Sequence, residues 1–286
     1  MHRNRPANGV VRGALSALGI ALIGQGPAFA AGVDPSLRDD PHYRDELGVN
    51  SFTTPSIADL FRDLDALRPI PLEKVERTPR PLTTGDRARY ALSFGVLIAD
   101  GFLAVERQDA KGIELLGHEL LRRAKGLGVG QRLSQHGQRL LEDARRGRWE
   151  QLRQELIFTQ KDVENAMLEL RDEQVAHLLS LGGWLRGLEI AAACVAETYS
   201  ERRAKLLEQL DLLDYYLDRL QELSPRLRQR PLISSLTQHL QEIRSILDRH
   251  EPVSPADASG LYLVARNAVD EIEGETSINE TAGRGH

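Results

Sequence analysis

The chain has 286 residues, of which 41% are hydrophobic, 5% aromatic and 28% charged, with a formal net charge of −5. An acidic chain with few aromatics lacks the basic surface and stacking platforms of a nucleic-acid binder. Its one cysteine, Cys194, excludes an internal disulfide, so stability has to come from packing.

Residues 1–30 read as a secretory signal peptide. Arg3, Arg5 and Arg12 form a basic start, Gly13 to Gly24 an apolar stretch, and Ala28-Phe29-Ala30 a small-x-small cleavage pattern. The apolar stretch is too short to span a bilayer, and no cysteine follows it to take a lipid. Cleavage after Ala30 removes three arginines and no acid, leaving a mature chain of about −8. The expected location is the periplasm or the cell exterior.

Residues 31–82 hold seven of the thirteen prolines, which forbids long helices and favours extended chain. One short helix is expected there. Thr54 can cap it, Pro55 suits its first turn, and Ile57, Leu60, Phe61, Leu64 and Leu67 share a face. This arm is expected to lie across a helical body with its apolar residues in surface grooves.

From Thr83 the pattern is helix after helix, with no convincing strand alternation. Helices are expected over 86–107, from Asp109 to a stop near Gly126 or Gly128, over 131–146 closed by Gly147, and over 149–170. Further helices are expected from Asp172 to about Tyr199, from a Ser200 cap through Leu223, over 232–250, and from Ser254-Pro255 to the last helix. The fold class is all-α, a multi-helix bundle of about eight helices behind a proline-rich arm. Residues 274–286 read as a disordered tail.

Phe94-Gly95-Val96-Leu97-Ile98-Ala99 resembles Arg186-Gly187-Leu188-Glu189-Ile190-Ala191, and Leu133-Ser134-Gln135-His136 resembles Leu236-Thr237-Gln238-His239. Two pseudo-repeated four-helix halves, 83–171 and 172–273, would produce that order. Gln135-His136 and Gln238-His239 are expected on outer faces.

Gly95, Ala99, Gly187 and Ala191 predict a close crossing of the two most apolar helices, with Gly101 and Gly183 as further flat positions. Neither helix is expected to span a membrane, because Asp100 interrupts one and Arg186 and Glu189 the other. Asp100 and Glu189 need partners in such apolar settings: an arginine, a metal ion or a bound ligand. They are the candidate ligand-binding residues. Glu114 with His118, and Glu173 with His177, are the candidate metal ligands, since a spacing of four puts each pair on one helix face. Cys194 is expected to be a buried small apolar residue.

There is no haem-attachment motif, phosphate-binding glycine loop or nucleophile elbow. The leading expectation is a non-enzymatic scaffold that presents grooves to a protein partner or to a second copy of itself. A ligand- or metal-binding bundle using Asp100 and Glu189 is the alternative, and an enzyme with a dispersed site comes third. No cofactor is expected beyond that metal ion.

Overall fold

The computed structural model describes residues 57–170 and 172–274, which belong to one compact unit. Among these residues there are helices and no strand, as the sequence predicts. The expected signal peptide, the expected Thr54-Pro55 cap and the expected tail beyond Gly274 lie outside them.

The helices are α1 (Ile57–Ala66), α2 (Leu72–Val75), α3 (Arg87–Glu106), α4 (Ala110–Leu127), α5 (Gly130–Arg145) and α6 (Trp149–Leu170), followed by α7 (Glu173–Glu197), α8 (Glu201–Ala204), α9 (Leu210–Glu222), α10 (Pro225–Arg228), α11 (Pro231–Leu247) and α12 (Pro255–Glu273). Short polar side chains start several of them. Asp86 accepts from the amides of Ala88 and Arg89, Asp109 from Gly112, and Ser254 from Asp257. Each fills an orphan donor of a first turn. Gly128, at φ 84°, ends α4 in the left-handed conformation that glycine adopts without a Cβ penalty.

α3 and α7 form the centre. Both are long and apolar enough to cross a membrane by length and composition, yet 83% of the most apolar window of each is buried within the bundle. α12 packs along α7, and α4, α5 and α6 follow one another from α3. A Cβ on Gly95 would overlap the Leu179 carbonyl oxygen and lie 2.6 Å from the Gly183 nitrogen; one on Gly182 would overlap the Leu92 carbonyl. The crossing therefore uses Gly95, Gly182 and Gly183. Gly187, expected at the same crossing, lines a cleft beside it.

One expected helix is broken. The segment from Ser200 to Leu223 forms α8, a 3₁₀ turn over Lys205–Leu207, and then α9. Tertiary hydrogen bonds override the local helical tendency here. The Trp184 Nε1–H donates to the Gln209 side chain at 2.8 Å, and the Val253 amide donates to Glu208 at 3.1 Å. The break also seats Leu207 in the core.

Residues 67–82 form a strap across the body, with Val75 and Leu82 buried. Proline-rich chain has no neighbouring strand or helical turn to satisfy its carbonyls, so side chains of the body do so. Arg203 donates to Leu67, Arg186 to Val75, Tyr262 and Arg266 to Lys74, and Arg123 to Arg80.

Candidate functional site

The two candidate acids are buried, and arginines neutralise them. Arg186 Nε donates to Asp100 Oδ1 at 2.7 Å, and its Nη1 lies 2.7 Å from Glu189 Oε2. Arg77, from the strap, reaches Glu189 at 3.2 Å and Asp270 of α12 at 2.5 Å. Burial pushes the Asp100 carboxyl above the usual carboxylate range, against the pull of Arg186. Burial also opposes the Arg186 cation, but Asp100 and Glu189 outweigh it and hold its pKa above the ordinary value. The network joins α3, α7, α12 and the strap, a structural task.

The two candidate metal pairs have unlike surroundings. Glu114 and His118 are exposed on α4, and Glu114 pairs with Arg145 at 3.5 Å. Glu173 is exposed, whereas His177, one turn on, is buried and bonded through Nδ1 to the Tyr215 hydroxyl at 2.9 Å. Burial pushes the His177 imidazole down to about 4, and the Arg219 cation adds to it. The ring is therefore neutral and shares this hydrogen bond with Tyr215. Among the described residues no group of three or more histidine, cysteine, aspartate or glutamate side chains could hold a metal ion. Cys194 is fully buried, and burial pushes its thiol up to about 12, far from a reactive thiolate.

His136 departs from expectation. Gln135 is exposed, but His136 is buried between α5 and α6, with Nδ1 2.6 Å from Glu155 and Nε2 3.2 Å from Asp162. Glu155, Asp162 and Glu169 recur every seven residues along α6, opposite Arg132, His136 and Arg139 of α5. Arg132 bridges Asp162 and Glu169, and Arg139 binds Glu155. This ladder borders an open polar depression, but its charges already face one another. It clamps two helices, and intrahelical spacing alone could not show that.

A further concavity is an apolar cleft beside the α3–α7 crossing, with about 800 Å³ of empty space counting its open mouth. Gly183, Gly187 and Ala191 of α7 form its floor at intervals of four residues, which places them in one row. Leu64 of α1 and Leu67, just past its end, line it together with Leu206 and Tyr216. Its polar groups satisfy one another. Ser180 and the Tyr216 hydroxyl share a 2.8 Å hydrogen bond, and Trp184 is held by Gln209. The Trp184 and Tyr216 rings lie 5.3 Å apart.

The small residues of this cleft were visible in the sequence, but as a crossing. Leu206, Gln209 and Tyr216 were not, because the helix break that turns them toward α7 is a tertiary event. A tryptophan inside a run of glycines and alanines was the one signal that could have found the place. No protein-family model matches the chain, and neither does a curated protein or a solved structure.

Proposed function

We propose that the protein is an exported, non-enzymatic binding module that works through the apolar cleft between α1, α3, α7 and α9. Export is supported by the signal-peptide pattern of residues 1–30. The observation that carries the binding reading is the cleft itself: a partly open, apolar-walled space with few polar groups is the usual form of a binding site. Asp100 and Glu189 do not supply a ligand site in this reading, since Arg186 and Arg77 already hold them.

A scaffold for a protein partner is the second reading, favoured by Phe158 and Leu170, large apolar side chains more than half exposed on α6. A photoreactive residue placed at Leu206, and separately at Phe158, in cells making the full precursor distinguishes the two. Adducts from position 206 with a mature chain starting at Ala31 are the expected result. Adducts from 158 alone would move the working surface to α6, and a retained residue 1–30 segment would remove the export reading.

A further inference from the structure

We infer that the cleft takes a single aliphatic chain that carries an uncharged polar head. The inference rests on the cleft being the working surface. Its floor is one row of small residues, Gly183, Gly187 and Ala191, spanning roughly 12 Å at the helical rise. Small residues leave room along the helix, while the larger Trp184, Leu188, Ile98 and Leu206 line the same cleft, an arrangement that fits a slender chain better than a helix with its own side chains. Burying each methylene of such a chain is favourable by about 0.8 kcal/mol.

Charge decides the head. Among the described lining residues there is no lysine, arginine or histidine, and the one ionisable carboxyl is Asp63. Asp63 lies 3.8 Å from Arg62, a cation outside the lining; a fatty-acid carboxylate would have to compete with Asp63 for it, whereas a neutral hydroxyl, ester or amide would not. The polar end also suits a neutral head. Ser180 and Tyr216 offer hydroxyls that donate and accept, and the Gln209 carbonyl that accepts from Trp184 has a second lone pair. Each of these groups is satisfied within the protein, so the empty cleft carries no polar penalty and a head group adds to an existing network.

Trp184, in the wall, reports on occupancy. With Trp149→Phe, the other tryptophan is removed and fluorescence follows Trp184 alone. The mature protein is titrated with 1-decanol and with decanoate at neutral pH. A saturable change with decanol and at least tenfold weaker binding of decanoate are expected. Ala191→Phe, at a half-buried floor position, should abolish the decanol response while leaving the helical circular dichroism unchanged. Leu206→Arg, at a half-buried wall position, should shift preference toward decanoate by supplying a cation within the lining. Equal or tighter decanoate binding by the parent would overturn the inference on the head group. A decanol response that survives Ala191→Phe would overturn the placement. Binding of an apolar helical peptide with no decanol response would overturn the ligand class and keep the cleft, and failure of all three probes would remove the cleft reading itself.

Discussion

His177 shows how a residue's meaning follows from its surroundings. In the sequence it is half of a Glu-x-x-x-His pair; in the fold it is a neutral core imidazole hydrogen-bonded to Tyr215. Its pKa, near 6.5 in the unfolded chain, falls to about 4 when folded, through burial and then through Arg219. A depressed pKa means that the contribution to stability is complete above 6.5 and is lost as pH falls toward 4, because the unfolded chain takes up the proton first. The full span corresponds to about 3 kcal/mol. His177→Gln keeps a hydrogen-bonding group for Tyr215 and cannot titrate in this range. Urea unfolding at neutral pH and near pH 4.5 should show the parent losing more stability on acidification than the variant. Parallel losses would mean that the imidazole is hydrated and titrates normally. His136 teaches the converse: an expected surface histidine is buried because α6 lays Glu155 and Asp162 against it.

At the scale of elements, most helix ends were legible in the sequence. Asp86, Asp109, Asp172 and Ser254 start helices where short polar side chains precede apolar periodicity, and Gly128 ends one. Those signals act within a single turn, so no knowledge of neighbours is needed. The break after Ala204 was illegible because Trp184 and Val253, which fix it, are distant in sequence. Glycine spacing has the same limit. Gly95 and Gly183 look alike in the sequence, yet a Cβ on Gly95 would strike the Leu179 backbone, while one on Gly183 meets nothing nearer than 3.5 Å. Gly95→Ala should therefore destabilise by at least about 1–3 kcal/mol through overpacking. Gly183→Ala should be neutral or stabilise by up to about 1 kcal/mol through helix propensity. Urea unfolding of the two variants checks the pair, and equal costs would show that α3 and α7 do not cross at this register.

Across the whole molecule, Arg186 is the node that ties strap to bundle: fully buried, it holds Asp100 of α3, Glu189 of α7 and the Val75 carbonyl. Arg186→Met removes the cation, leaving Asp100 buried without its ion-pair partner and Glu189 with Arg77, a change expected to cost about 3–5 kcal/mol at neutral pH. The loss should shrink on acidification, because the abandoned Asp100 can then be protonated. Thermal melting of parent and variant at both pH values tests this. A pH-independent loss would mean that packing around the side chain, not its charge, holds the strap.

The sequence by itself determined the all-α class, the order of the eight long helices, the apolarity of α3 and α7, and the need of Asp100 and Glu189 for partners. These follow from periodicity, capping and the cost of burying charge, which act locally. Only the tertiary structure decided that Asp100 finds its arginine 86 residues away and that Glu189, beside Arg186 in the same helix, gains Arg77 from 112 residues away, that Gly187 lines a cleft, and that Leu206 and Tyr216 help to wall it. Which side chains meet depends on how helices cross, and crossing geometry is set by the summed packing of surfaces far apart in the chain.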